Sequence, residues 1–461
     1  MNVLLVMADQ LVPFMTGPYG DRVAQTPNMD ALARDGVRYD AAYTPYPLCS
    51  PARAAFMTGN YASRYGCYDN ASILPADAPT IAHYLTLAGY ETALSGKMHF
   101  VGPDQLHGFA RRLTTDVYPA AMDWVPTQDA EGRFVRGGHA RSYVPPRVGV
   151  VEWTKFLAYD EETHFRALEY LRTPPDRPFF LVASYHHPHD PFQVTQELWD
   201  LYDGVDIPLP DTPTEVEYSA MDVWANEAHE TDQVDLRDPD NLRALRRAYY
   251  GLVTYIDRKL GELVAAAPDD TLVILTSDHG DMLAERAMVQ KRCFYEWSAR
   301  IPLIVRHPDR RAAGTSVDTP VSLLDLPATI LDLVGAPERL PMDGGSLLEP
   351  SGVVYSEYHV EKVRAPCFMV RRGDRKYVYV HEHGEQLFDL ANDPGEWTNL
   401  AGTTDTKEYR DLILEKFDPD AIASDGAESV RRRELIARAT ALTPVRWDYT
   451  PPFDATKQYV R

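Results

Sequence analysis

Four short apolar runs in this chain each break off into a polar cluster. Residues 3–8 run into Asp9-Gln10, and residues 91–94 into Ser95-Gly96-Lys97-Met98-His99. Residues 179–184 run into Tyr185-His186-His187-Pro188-His189-Asp190, and residues 272–276 into Ser277-Asp278-His279-Gly280-Asp281. Each run is short and rich in β-formers, as strands buried on both faces are. Helical patterns lie between them: residues 80–88, closed by Gly89, and the long periodic stretch 241–267. Strand alternating with helix predicts an α/β fold, with a large mixed, mostly parallel sheet sandwiched by helices. Ligands bind beyond the carboxyl ends of such strands, so four polar clusters at four strand ends predict one shared site.

The pattern changes near residue 350. Residues 353–358, 367–371 and 376–381 read as antiparallel strands, and 412–417 and 428–441 as helices. The chain therefore divides into a main α/β domain, 1–350, and a smaller C-terminal α+β domain, 351–461. The aromatic and Pro-rich segment 447–453 reads as an ordered docking strap.

Composition excludes several classes. The formal charge is −22, which would repel a phosphate backbone, so no nucleic-acid partner is expected. Any anion site must be built from local cations. No apolar run reaches the ~18 residues of a spanning helix, so no membrane partner is expected. The first residues carry no basic segment or small-residue cleavage site, and a cytoplasmic protein is expected. Cys49, Cys67, Cys293 and Cys367 lack paired spacing, which argues against a disulfide framework or a zinc ribbon.

The sharpest motif is Cys49-Ser50-Pro51-Ala52-Arg53, followed by Met57-Thr58-Gly59. A lone cysteine is most often a buried packing residue. The whole string, however, resembles the sulfatase signature, in which a maturation enzyme oxidises the cysteine to formylglycine. The resemblance extends along the chain: Asp9 after the first strand, Gly96-Lys97-Met98-His99, His189-Asp190-Pro191, Ser277 to Asp281, and a C-terminal marker in Leu387 to Leu390, Asp393-Pro394, Glu396 and Asn399-Leu400. It places the chain in the sulfatase branch of the alkaline phosphatase superfamily.

The resemblance implies a chemistry. Formylglycine at position 49, hydrated to a geminal diol, supplies the nucleophile, and one divalent metal lowers the pKa of a hydroxyl. The sulfated hemiacetal that follows expels sulfate when its second hydroxyl loses a proton. Asp9, Asp278, His279 and residue 49 are the implied metal ligands, with Gln10 either ligating or supporting them. The donor set suits Ca²⁺ or Mn²⁺. Arg53 is placed to reach back and steady the diol, Lys97 and Lys291 to clamp sulfate, and Lys291 or His189 to protonate the leaving group. His99 is the implied base. Of His186, His187 and His189, His189 is favoured.

A closer resemblance is to the choline sulfatases, carried by residues 90–109, by 112–120 and by His187-Pro188-His189-Asp190-Pro191. It implies a substrate pocket of Asn70, Trp124, His139 and a carboxylate, Glu361 in preference to Glu357. A quaternary ammonium needs aromatic faces and a carboxylate. Ala140 stands where that family typically has Asn, and the chain ends at Arg461 without the family's longer C-terminus. The implied partners are a small sulfate ester (choline-O-sulfate or a related alkyl or aryl sulfate), a formylglycine-generating enzyme and further copies of the chain in a homo-oligomer. A phosphonate monoester or phosphodiester hydrolase of the same superfamily is the alternative. A non-catalytic binding protein with unmodified Cys49 is a third, opposed by the intact set of Asp9, Arg53, Lys97, His99 and Asp278.

Overall fold

A computed structural model of the chain describes residues 1–118, 138–212 and 215–443. Its centre is an eight-stranded sheet. In chain order the strands are β1 (Asn2–Asp9), β2 (Val37–Tyr39), β3 (Glu91–Gly96), β4 (Arg111–Arg112), β5 (Phe179–Pro188), β6 (Thr271–Thr276), β7 (Leu303–Arg306) and β8 (Thr315–Val317). Their spatial order is β8-β2-β7-β6-β1-β5-β3-β4. The four predicted strands are neighbours at the centre, and β6, β1, β5 and β3 run parallel. Only β7 reverses direction, pairing antiparallel with both β6 and β2. The sheet is therefore mixed and mostly parallel.

Both faces of these strands are covered, which is why they read as unbroken apolar runs. One apolar cluster contains Val3, Leu5, Val182 and Ile274, and another contains Leu4, Val6, Leu181 and Val273. The second face is covered in part by two long helices, α3 (Lys155–Arg172) and α4 (Pro239–Ala266). Helix α1 (Cys49–Thr58) lies in the first cluster and begins on the site cysteine. It ends at Gly59, whose φ of 68° is the left-handed conformation a helix C-terminus needs. Helix α2 (Ile81–Leu87) ends as its sequence predicts, with Gly89 left-handed just beyond it.

The C-terminal region is a four-stranded antiparallel sheet of β9 (Val353–Tyr358), β10 (Cys367–Arg372), β11 (Arg375–Val380) and β12 (Gly384–Asp389). The fourth strand is not in the sequence reading, which took Leu387 to Leu390 only as a family marker. Two helices follow, α5 (Lys407–Lys416) and α6 (Pro419–Leu442). The last begins well before residue 428. Asp418 caps it by accepting a hydrogen bond from the Ala421 amide, and Pro419 takes the first helical position. Gly426 disguises this stretch as a break. A Cβ there would lie 2.7 Å from Val360 Cγ2, so glycine lets the helix approach that loop. The proposed strap at 447–453 lies outside the described residues. Among the described residues, no helix is long and apolar enough to cross a membrane.

Gly96 closes β3 at φ +98°, and a Cβ there would sit 1.9 Å from the Ser184 carbonyl oxygen of β5. Gly96→Ala is expected to destabilise the protein by at least about 2 kcal/mol, read as a lowered denaturation midpoint. An unchanged midpoint would show that the two strands are free to separate there.

Candidate active site

The four parallel strands deliver their polar ends to one place. Asp9 ends β1, Lys97 to His99 follow β3, His189 and Asp190 follow β5, and Asp278 and His279 follow β6. Helix α1 brings Cys49 and Arg53 against them. Arg53 is wholly buried. Its Nε donates to Asp278 Oδ2 at 2.8 Å, and its Nη2 to Asp9 Oδ2 at 2.9 Å. Its Nη1 donates to the Lys97 carbonyl at 2.6 Å and to Ser184 Oγ at 2.9 Å. The resemblance implies that Arg53 steadies the diol at position 49; in this structure its planar fork holds two carboxylates, the Lys97 carbonyl and Ser184, and so positions the groups around that residue.

Lys97 is likewise buried, forms an ion pair with Asp9 and lies 4.6 Å over the Tyr118 ring. It is not among the residues that line the cavity described below, and its ammonium is turned to Asp9. Burial alone would raise the Asp9 pKa, and a thiolate at Cys49 would add to that; Lys97, His189 and Arg53 outweigh both and hold it well below the usual carboxylate range. Burial would likewise raise the Cys49 thiol, but Lys291 and Lys97 drive it well below its ordinary value.

Cys49, Asp9, Asp278 and His279 offer ligand atoms that all lie within 4.8 Å of one another. The sulfur stands where an oxygen of a modified residue would be. It is 3.1 Å from His279 Nε2 and 3.9 Å from Asp9 Oδ1. His279 Nδ1 lies 3.0 Å from the Gly280 carbonyl, which fixes the proton on Nδ1 and leaves the Nε2 lone pair facing the cluster. Burial would lower the His279 pKa, but the charges of Asp278 and Cys49 outweigh it and raise it. Two carboxylates, an imidazole and an oxygen at position 49 fit a divalent cation. Gln10 lies beside this set: its backbone amide donates to Asp278 Oδ1 at 3.1 Å, its side-chain amide oxygen accepts from Lys291 Nζ at 2.6 Å, and its side-chain amide nitrogen donates to Asp281.

The three histidines after β5 separate by position. His187 turns to Asp160, with Nδ1 2.7 Å from its carboxylate. His186 stacks on Phe156 at 4.2 Å. His189 alone faces Lys291, Nε2 to Nζ at 2.9 Å, and its Nδ1 lies 2.9 Å from the Asp190 carbonyl. That arrangement places the proton on Nδ1 and makes Nε2 the acceptor for the Lys291 ammonium.

A cavity of about 620 Å³ opens beside these groups. Cys49, His99, His189 and Lys291 line it, with Asn70 and His139. His99 is held by its backbone amide, which donates to Asp116 at 2.7 Å, and its ring packs on Tyr118 at 4.7 Å. Trp124 lies outside the described residues. Glu361 does not line the cavity. Its Oε1 accepts from Arg292 Nη2 at 2.6 Å and its Oε2 from the Asn70 amide at 3.3 Å. The carboxylate expected for a quaternary ammonium is thus neutralised by an arginine that does line the cavity. Glu357 is also engaged, with Ser63 and His359. Sequence reasoning missed Arg292, Gln290 and Tyr118 as cavity residues. Tyr118 lay inside a recognised run, but nothing in the motif around Lys291 marked its neighbours.

The chain matches the sulfatase family over residues 1–336, and over residues 284–419 a family described as N-sulphoglucosamine sulphohydrolase, C-terminal. It is 39% identical to the choline-sulfatase of Rhizobium meliloti, covering 100% of this chain and 95% of that one. It is 29% identical to an arylsulfatase of Clostridium perfringens, over 89% of this chain and 92% of that one. Among solved structures it is similar to the phosphonate monoester hydrolase of Agrobacterium radiobacter, with TM-score 0.71, 25% identity and coverage of 93% and 96% of the two chains. The chain therefore belongs to the sulfatase family, whose members hydrolyse sulfuric esters.

Arg53→Met would leave Asp9 and Asp278 buried without their shared partner. The expected cost is about 3–5 kcal/mol of stability, measured by urea denaturation. A loss below about 1 kcal/mol would mean that the carboxylates find other partners.

Proposed function

We propose that the protein hydrolyses a small sulfate ester at Cys49 after that residue is oxidised to formylglycine by a maturation enzyme. The observation that supports this most directly is the position of the Cys49 sulfur, among the ligand atoms of Asp9, Asp278 and His279 and on the wall of the cavity. Asp9, Asp278 and His279 would hold a divalent cation, Ca²⁺ or Mn²⁺, which would supply Lewis-acid activation of the hydroxyl that a hydrated formylglycine at position 49 would offer as nucleophile.

The remaining work falls to the chain's own residues. Arg53 and Lys97 hold Asp9 in its charged form at a fixed position. Lys291 presents an ammonium at the cavity wall, and there it both attracts the sulfuryl oxygens and carries a proton for the leaving oxygen. His189 accepts a hydrogen bond from that ammonium and orients it. His99 lines the same cavity, and its Nδ1 has no hydrogen-bond partner among the described residues, which suits a base. The cavity volume suits a small molecule. A phosphonate monoester is the second reading, favoured by the likeness to the Agrobacterium radiobacter hydrolase.

Protein made together with a maturation enzyme is expected to lose one sulfur and two hydrogens and gain one oxygen in the peptide spanning Cys49. That form should hydrolyse an aryl sulfate, and Cys49→Ala should lose at least about a thousandfold in kcat. Mass spectrometry and turnover check the two together. Full activity in the alanine variant would remove Cys49 from the chemistry.

A further inference from the structure

Asn70 stands on the cavity wall. Its Oδ1 accepts from the Ser50 amide at 2.9 Å, next to Cys49 at the start of α1. With the oxygen turned to the helix, the Nδ2 amide is the donor that Asn70 offers to the cavity. The side chain is short, so its aim is set by the backbone around it. Asp69, wholly buried, builds that backbone. Its Oδ1 accepts from the Ala71 amide at 3.0 Å and from Ser72 Oγ at 2.8 Å, which closes a turn around Asn70. Ser72 Oγ in turn accepts from the amides of Tyr68 and Asp69 at 3.1 and 3.2 Å.

The other oxygen of Asp69 is held from the far end of the chain. Oδ2 accepts from Nη2 of Arg433, on helix α6, at 2.7 Å. Arg433 is buried too, and its Nε donates to the Ser429 carbonyl of its own helix at 3.3 Å. Burial raises the Asp69 pKa, and the Arg433 guanidinium offsets part of that rise. Helix α6 touches the same region a second time. Its Gly426 packs close against Val360, the neighbour of Glu361, and Glu361 Oε2 accepts from the Asn70 backbone amide at 3.3 Å. The C-terminal helix thus reaches Asn70 from two sides, through the residue before it and through the loop that carries Glu361.

We propose that Arg433 and Asp69 are positioning residues for Asn70: their buried ion pair fixes the turn at 69–72, aims the Asn70 amide into the cavity, and so sets how tightly the site binds its ester. The proposal rests on the sulfate-ester reading and adds to it a role for the C-terminal helix. Neither residue touches the ester. Asn70 donates to it, and a donor held in place before the ligand arrives costs less ordering on binding. A loosened turn leaves the reacting groups on the strand ends where they are, so the effect falls on binding rather than on the chemical step.

The test is steady-state kinetics of the formylglycine form with phenyl sulfate, at a temperature where circular dichroism shows each variant folded. Arg433→Met and Asn70→Ala should each raise KM about tenfold, with kcat within about threefold of the wild type. The double variant Asn70→Ala/Arg433→Met should be no worse than Asn70→Ala alone, because Arg433 has then lost the group it acts on. Arg433→Lys should restore part of the binding. A pair with a structural role alone would lower the active fraction and hence kcat, leave KM unchanged and add to the effect of Asn70→Ala. That pattern would overturn the proposal, as would wild-type KM in either single variant. Should Arg433→Met not fold, Asp69→Asn/Arg433→Met removes both charges and keeps the oxygen that Ala71 and Ser72 need, and the same rise in KM is expected of it. Hydrogen exchange supplies a readout independent of turnover: the amides of residues 69–72 should exchange about tenfold faster without the ion pair, and unchanged exchange there would also overturn the proposal. Failure of every sulfate ester with formylglycine confirmed would overturn the sulfate-ester reading instead, and the exchange measurement would still judge the positioning.

Discussion

The guanidinium of Arg53 is the interaction on which the site depends. It lies at zero exposure between two aspartates from different strands, and it also bonds the backbone that follows a third strand. Each carboxylate is thereby fixed through one oxygen. Asp9 keeps its other oxygen turned towards Cys49. Buried charges are costly alone, and a planar fork with fixed donors is the side chain best able to compensate two of them at once. A helix carrying Cys49 at its first position and Arg53 one turn later couples the reacting residue to this clamp. The spacing of the signature follows from that geometry.

The strand ends are shaped by backbone as much as by side chains. Gln10 (φ 67°), His99 (φ 58°), Gln290 (φ 67°) and Arg292 (φ 78°) all occupy the left-handed region, although none is glycine. Such conformations are held only where many contacts enforce them. The contacts are visible: Asp116 takes the amides of Met98 and His99, and Tyr143 takes the amide of Gln290. The turns convert four parallel strands into inward-facing side chains, and Lys291 arrives on a loop between two left-handed residues.

Much of this was legible in the sequence. Fully buried parallel strands have no polar face, so their apolar runs and abrupt polar ends mark both the sheet and the site. Cys49, His99, His189 and Lys291 line one cavity, and Asp278 and His279 join Cys49 and Asp9 in one cluster. What was not legible depended on pairing. Arg53 follows Cys49 by one turn, but the sequence does not show that two aspartates consume its donors. Glu361 matches a position that suits a cation, yet Arg292 lies 2.6 Å from it and cancels it. The strand at Gly384–Asp389 opens with Gly384, at φ 108°, and exposed polar residues. It carries no unbroken apolar run and is defined by its pairing with Arg375–Val380.

The same cradle of two carboxylates, an imidazole and residue 49 suits the transfer of a sulfuryl or a phosphonyl group, since both place negative oxygens against Lys291. Fold likeness alone does not separate them. The decision lies in differential binding of the two transition states. The most direct measurement is kcat/KM for phenyl sulfate against a phenyl phosphonate monoester, on one preparation shown by mass spectrometry to carry formylglycine at position 49. The account predicts that the sulfate is preferred by at least about tenfold. A preference for the phosphonate would contradict it.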